Sequence, residues 1–300
     1  MSILLDGKSR VMVQGLTGDR GRHHADTMRD YGTNIVCGVA PGRGGQNVGD
    51  IPVYSTISEA RSEHEIDVTV LFVPSRFVRA AALEAVEARI PHIHILAEGV
   101  PYHDSAHILA AADEAGVMVI GPNSQGMLSA GKAKLGATGG PDPSLMFKPG
   151  PVGILSRSGG MGAEVAHFLT RHDIGQSTYV SIGGDLLIGT GFTPLLEKFQ
   201  ADPETGCVFI FGEAGTGHEE AVAEMLAQKR FAKPLIAMVV GDGLAALPKG
   251  MSFGHTGTLI ARGEGDPFKK KEMLREAGAH VVSSFDELLD VTRDIVAQAL

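Results

Sequence analysis

One histidine, His255, stands in the segment KGMSFGHTGTLI, residues 249 to 260, where the only other charged residue is Lys249. The flanking glycines, Gly254 and Gly257, leave an imidazole within reach of a large partner or a phosphoryl donor. A loop histidine on its own is more often structural, so chemistry here needs a second group to hold the ring. Glu213, in IFGEAGTG at the end of an apolar stretch, is placed where doubly wound folds keep their sites. Its carboxylate can orient an imidazole or hold its proton, or it is simply a solvated loop group.

Two glycine-rich turns could hold an anion. GLTGDRG sets Gly15, Gly18 and Gly21 between a strand pattern and a helix pattern. Helix starts carry unpaired N–H groups and a positive dipole end, and glycines let a phosphate approach them. The spacing is GxxGxxG, not the dinucleotide GxGxxG, and no acidic residue about 20 positions on offers a ribose contact. VCGVAPGRGG lies there instead, with Arg43, so a phosphorylated ligand other than NAD is favoured and a nicotinamide dehydrogenase is disfavoured. The second turn, LSRSGGMGAEV, places Ser156, Ser158, Gly159 and Gly160 ahead of a helix. It reads as an anion site or as a plain serine N-cap. A serine-hydrolase elbow fails, since no glycine lies two residues before Ser158.

The elements that must position these groups follow from hydrophobic patterning. RVMVQG, NIVCGVAP, VTVLFVP, HIHILAEG and VMVIGPN read as short strands alternating with helices, an α/β unit with a parallel sheet of Rossmann-like type. From about 132 to 150 the pattern lapses into Gly, Pro, Ser and Asp, which places a domain boundary there. Alternation resumes with VGILSRSGG, STYVSIGGD, CVFIFGEAG, PLIAMVVG and HVVSS. Five further strands make a second doubly wound unit, closed by an amphipathic helix from Asp286. The expected domains are therefore 1–146 and 147–300.

Composition narrows the function classes. With 26 Lys and Arg against 35 Asp and Glu, a net charge of −9 argues against binding nucleic acid, which needs a basic face. No apolar run reaches the roughly 18 residues of a membrane span. Two distant cysteines, Cys37 and Cys207, form no disulfide framework or CxxC motif, which fits a reducing cytoplasm. The pairs His92 with His94 and His103 with His107 have metal-ligand spacing but lack a third convincing ligand, so no metal is expected. The run Lys269, Lys270, Lys271 reads as a solvated helix face.

Taken together, GLTGDRG, GVAPGRGG, GPNSQG, SRSGG, SIGGD, GEAG and FGHTGT lie in the order and spacing of a known family. Over nearly its whole length the chain resembles the α subunit of succinyl-CoA synthetase and its relatives, the nucleoside-diphosphate-forming acyl-CoA ligases. That resemblance implies a Rossmann-like CoA-binding domain followed by a flavodoxin-like doubly wound ligase domain. It also implies a partner β subunit of ATP-grasp fold, in an αβ or α2β2 assembly, that supplies ATP or GTP with magnesium. A small di- or tricarboxylic acid would be activated as an acyl phosphate and then attacked by the CoA thiol. By position, His255 would be the phosphorylated histidine and Glu213 the carboxylate that steadies it. Ser156, Ser158, Gly159 and Gly160 would hold the phosphoryl group. Thr17, Gly18, Asp19, Arg20, Arg43, Leu96, Ala97 and Glu98 would contact CoA.

Three departures from the family pattern bear on specificity. Ser124 replaces the cysteine of GPNCPG, Arg43 replaces a lysine, and Ala163 stands where succinate enzymes have the tyrosine of SRSGTLTYE. Loss of a phenol enlarges a pocket and deletes a polar contact, so Ala163 is expected to shape the substrate site. KLGATGG, SRSGGM and FGHTG resemble ATP-citrate lyase and citryl-CoA synthetase instead. A citryl-CoA or malyl-CoA type ligase subunit is therefore an alternative, and so is a CoA-binding protein of the same fold without turnover.

Overall fold

The computed structural model describes residues 2–243, 255–258 and 265–298. Seven strands form the first sheet: β1 (Val11–Gln14), β2 (Ile35–Val39), β3 (Gln46–Val48), β4 (Ile51–Tyr54), β5 (Val68–Leu71), β6 (His92–Ile95) and β7 (Met118–Ile120). Their order is β3-β4-β2-β1-β5-β6-β7. All neighbours run parallel except β3, which turns back on β4. Parallel strands need crossover helices, and α1 (Asp19–Asp30), α2 (Ile57–Glu63), α3 (Ser75–Glu87) and α4 (Tyr102–Ala115) supply them. Every residue of β1, β5 and β6 is buried, as continuous apolar strands covered on both faces should be. Local signals set the helix ends. Thr56 caps α2 by accepting from the Glu59 amide while Glu59 accepts from the Ser55 amide. Gly116, at φ 67°, closes α4.

The second sheet contains β10 (Pro149–Ser156), β11 (Gln176–Ser181), β12 (Cys207–Glu213), β13 (Leu235–Val240) and β14 (His280–Val281), all parallel to their partners among themselves. The helices α5 (Gly159–Arg171), α6 (Phe192–Ala201), α7 (His218–Ala227), α8 (Pro267–Glu276) and α9 (Phe285–Gln298) complete this half. Strands, helices and their alternation thus follow the expected α/β pattern in both halves.

Two more strands differ from that expectation. A hairpin, β8 (Gly126–Ser129) and β9 (Ala133–Gly136), extends the second sheet to the order β14-β13-β12-β10-β11-β8-β9. Its inner strand pairs antiparallel with β11, Leu128 facing Tyr179. Part of it falls in the stretch that reads as an interdomain lapse, because four-residue strands rich in Gly, Ser and Ala show no apolar run. Met127, Leu128, Ala133 and Leu135 are nevertheless buried. The hairpin is also stitched backwards: Ser129 donates to the Leu5 carbonyl (2.6 Å) and Thr33 to the Lys134 carbonyl (2.6 Å). One apolar cluster, including Val13, Ile120, Leu135, Leu155 and Phe192, runs through both halves.

Candidate active site

Glu213 is the last residue of β12, and it meets His255 although they are 42 positions apart in sequence. The imidazole Nδ1 lies 2.9 Å from each oxygen of the Glu213 carboxylate. An ionised carboxylate only accepts, so the proton resides on Nδ1 and the lone pair of the neutral ring is on Nε2. Nε2 has no hydrogen-bond partner among the described residues. The His255 side chain is 32% exposed and that of Glu213 8%, a geometry in which the carboxylate is shielded and the ring can be reached. Gly254, Phe253 and Lys249 lie outside the described residues.

The ring sits in a backbone cradle. A Cβ on Gly184 would come within 2.6 Å of the His255 ring carbons, and one on Gly257 within 2.2 Å of the Arg157 guanidinium. The SIGGD motif after β11 therefore owes its second glycine to the imidazole packed against it. The His255 pKa is raised from the usual 6.5, first by the hydrogen bond to Glu213. Burial opposes this shift, Glu213 and Asp185 add to it by charge, and the positive Arg157 works against it.

Arg157 carries no assignment in the sequence reading, yet it is 1% exposed. Its Nη2 donates to the carbonyls of Gly184 and Asp185, at 3.3 Å each. It thereby ties the turn between β10 and α5 to the loop that backs His255. An arginine between two serines in a glycine-rich turn looks like a solvated surface group, and no sequence signal separates the two cases.

At the start of α5, Ser156 is buried and donates to the Ser158 carbonyl at 2.5 Å, while Ser158 caps the helix by accepting from the Met161 amide at 3.4 Å. Both hydroxyls shape the turn. The amides of Gly159 and Gly160, in the first helical turn, are the donors that α5 leaves without helical partners. Neither serine hydrogen-bonds His255. Ala163, in the next turn, is 5% exposed and belongs to the apolar cluster that contains Tyr179 and Phe211.

A cleft of about 620 Å³ opens at the other glycine turn, lined by Gly18, Asp19, Arg20, Leu96, Ala97 and Glu98, and also by Phe72 to Ser75 and Asn123. Thr17 and Arg43 are not among its lining residues. Thr17 is half-buried just before the helix, and Arg43 is exposed in the β2 to β3 loop. The N-cap of α1 is Gly18, with no side-chain cap, so the first amides of that helix face the cleft uncapped. Gly21 makes the turn possible, since a Cβ there would lie 2.2 Å from the Gly15 carbonyl oxygen. Asn123 links this cleft to the histidine, because its amide donates to Asp185 at 3.0 Å. The Asp185 carboxyl is held above its usual range mainly by burial, with the Glu98 charge adding to the shift and the Asn123 hydrogen bond, His255 and Arg157 opposing it. Ser124 is buried: it donates to the Ser181 carbonyl at 2.5 Å and pairs with His94 Nε2 at 2.8 Å.

Other candidates resolve as follows. Burial pushes the thiols of Cys37 and Cys207 up to about 12, which makes them poor nucleophiles. Among the described residues no group of three His, Cys, Asp or Glu could hold a metal, and no helix is long and apolar enough to cross a membrane. The lysine run is not a uniform solvated face. Lys269 is exposed, but Lys270 is fully buried against Glu219, and Lys271 pairs with Asp242 at 2.6 Å. The run straddles the edge of α8, so one of three successive lysines must point inward.

Comparison with known proteins accounts for both halves. Residues 6–99 match the CoA binding domain model, and residues 149–294 the succinyl-CoA ligase like flavodoxin domain model. The chain is 40% identical over 296 residues to an ADP-forming succinate–CoA ligase subunit alpha 2 of Archaeoglobus fulgidus, covering 99% of this chain and 100% of that one. It is also 40% identical over 291 residues to an ADP-forming sulfoacetate–CoA ligase subunit of Bilophila wadsworthia, covering 96% and 97%. Among solved structures, Methanosaeta concilii ATP citrate lyase in complex with (3S)-citryl-CoA superposes with a TM-score of 0.89 at 30% identity. The match covers 99% of this chain, which spans only about half (51%) of the citrate lyase. With a CoA-binding half, a flavodoxin-like ligase half and relatives aligned over nearly its full length, the chain belongs to the family of succinate–CoA ligase α subunits, acid–CoA ligases that work with a separate β subunit.

Proposed function

We propose that the chain carries the phosphoryl group between nucleotide and acid on Nε2 of His255. The observation that supports this most is the contact of Nδ1 with both Glu213 oxygens, which leaves Nε2 as the nucleophilic nitrogen of a ring that is partly exposed. A neutral imidazole is a good in-line phosphoryl acceptor, and a fixed carboxylate stabilises the positive charge that develops on the ring as it reacts. The amides of Gly159 and Gly160, at the start of α5 behind the Ser156 to Ser158 turn, are proposed to hold the transferred phosphoryl oxygens.

The cleft at α1 fits coenzyme A. Its uncapped helix start and Arg20 suit the phosphates, and Leu96, Ala97 and Glu98 close the opposite wall. Bound there, coenzyme A supplies the thiol that captures the activated acyl group. Arg43, outside the cleft lining, and Thr17, beneath the helix start, are proposed to act at its margin. An ATP-grasp β subunit, in an αβ or α2β2 assembly, is proposed to bring ATP or GTP with magnesium to His255 in the cytoplasm. The acid is proposed to be small and to bear at least one further anionic group, a di- or tricarboxylate or a sulfonated acid. Relatives named for succinate and sulfoacetate and a neighbour solved with citryl-CoA support that class. Ala163 is proposed to act on it by leaving out the bulk of a tyrosine.

The test is to purify the chain with its β subunit, add nucleotide labelled at the γ-phosphate with magnesium, and look for acid-labile, base-stable label on His255. Discharge by one acid of a panel, only when CoA is present, would name the substrate. If CoA binds and no label forms, the chain is a CoA-binding protein without turnover.

The glycine cradle gives a second check. Gly184→Ala would force the ring off Glu213, because the new methyl overlaps ring atoms. Turnover is expected to fall by about 100-fold, as for a reacting group displaced by roughly 1 Å, with CoA affinity unchanged. Steady-state kinetics and calorimetric titration with CoA would show this; unaltered turnover would remove Gly184 from the site.

A further inference from the structure

The buried lysine and glutamate behind β12 are placed to do more than fill the core. Glu213 ends its strand in register with Val240 of β13, and side chains from two helices take both of its backbone polar groups. Its N–H donates to Glu219 Oε1 at 3.1 Å, and its carbonyl accepts from Lys270 Nζ at 2.9 Å. Lys270 also donates to the Gly215 carbonyl at 2.5 Å and to the second oxygen of Glu219. Both side chains are 0% exposed, with Glu220 3.6 Å from the ammonium. Gly212 makes room for the arrangement, since a Cβ there would lie 2.5 Å from Glu219 Oε1.

We propose that the Glu219 and Lys270 pair is the positioning device of the phosphoryl site, clamping the Glu213 backbone from α7 and α8 so that its carboxylate stays on His255. The inference deepens the proposed function and rests on it. A strand end normally frays where its ladder stops. Here a carboxylate takes the amide and an ammonium takes the carbonyl, so the Cα to Cβ direction of Glu213 is determined on both sides. Lys270 extends the clamp to Gly215, whose α-carbon packs so closely on the His255 loop that a Cβ would lie 2.0 Å from the Gly257 carbonyl oxygen. The pair therefore holds the base of the carboxylate and the support of the histidine loop together. An ordinary surface ion pair has little value of this kind. A buried pair whose spare donors and acceptors are all spent on backbone can impose one geometry.

The test compares Glu219→Gln and the double variant Glu219→Gln with Lys270→Met against the parent chain. A carboxylate accepts at both oxygens and an amide at only one, so Glu219→Gln must give up either the Glu213 amide or Lys270. The double variant removes both charges of the pair, so that only Glu220, whose side chain is 27% exposed, loses its ammonium neighbour. The first readout is the His255 titration in the full-length chain, followed by the imidazole Cε1–H correlation in NMR and assigned by its absence in His255→Asn. Besides Glu213, the charged groups facing that ring are Arg157 from the β10 to α5 turn and Asp185 from the loop after β11. Neither is replaced in the variants; Glu219 acts on Arg157 by charge, but a guanidinium stays protonated without it, so a shift reports Glu213. The expected result is a downward shift of the His255 titration in both variants. With the β subunit, histidine phosphorylation per folded molecule should fall by about 10 to 100-fold, as for a displaced reacting group, with CoA affinity unchanged. A pair that only stabilises the fold would lower the melting temperature and leave both the titration and the rate per folded molecule at parent values, and that result overturns the proposal. Should the parent chain itself take no phosphate, the proposed function fails while the titration still reports on the clamp.

Discussion

Replacing His255 by Asn is expected to abolish histidine phosphorylation and acyl-CoA formation while leaving CoA affinity intact. The asparagine amide is close to imidazole in size, and its N–H can still donate to the Glu213 carboxylate that now sits 2.9 Å from Nδ1. The loop should therefore keep its conformation, and the Glu213 charge should not be left unpaired. What is lost is the lone pair on Nε2, and neither cysteine can replace it, since both are buried with thiols pushed up to about 12. The measurement is label transfer from γ-labelled nucleotide with the β subunit present, paired with calorimetry for CoA. Full ligase activity in this variant would end the phosphohistidine reading.

Glu213→Gln is the more informative of the two large effects because it alters both rate and pH dependence. Glutamine preserves the length of the side chain and one hydrogen bond to Nδ1, but removes the negative charge that supports the ring as it becomes positive. A loss of about 10²–10⁴ in phosphorylation rate is expected, the range over which a positioned acid or base contributes. Glu213 raises the His255 pKa, so the neutral, nucleophilic imidazole of the native chain accumulates only above the usual 6.5. In the glutamine variant that pKa falls, the neutral form is reached at lower pH, and the acid limb of the rate profile moves down. Stability follows the same sign. The native contact favours the protonated ring, a contribution fully present below the unfolded pKa and lost as pH rises through the folded one. A rate profile with an unmoved acid limb would show that Glu213 does not govern His255.

The residues proposed to do chemistry are easier to read from the sequence than the residues that hold them. His255, Glu213 and the helix start at Gly18 to Arg20 stand in short motifs whose glycines advertise close approach. The structure brings the first two into contact and lines a cleft with the third. Strand alternation likewise exposed both α/β halves, since buried parallel strands such as VMVQ and VTVL are nearly continuous in apolar residues. Arg157, Glu219 and Lys270 were not legible, for a common reason. Each is a charged residue whose burial depends on partners dozens of positions away, and local pattern assigns such residues to solvent. For Ser156 and Ser158 the sequence allows an anion site or a serine N-cap; Ser158 is the N-cap of α5 and Ser156 donates to its carbonyl, with Gly159 and Gly160 opening the helix. The hairpin from Gly126 to Gly136 shows no apolar run because its strands are four residues long and set Met127, Leu128 and Leu135 among Gly, Ser, Ala and Lys.

That hairpin also determines how the chain can be divided. A cut between 146 and 147, where composition changes, would strand β8 and β9 on a fragment whose own sheet has no place for them. The other fragment would expose the edge of β11, with Thr178, Tyr179 and Val180 deprived of Ser129, Leu128 and Met127. An uncovered central strand of that kind is a template for aggregation. Module exchange among acid–CoA ligases, whether by engineering or by recombination, would therefore have to carry residues 126–136 with the half that follows them.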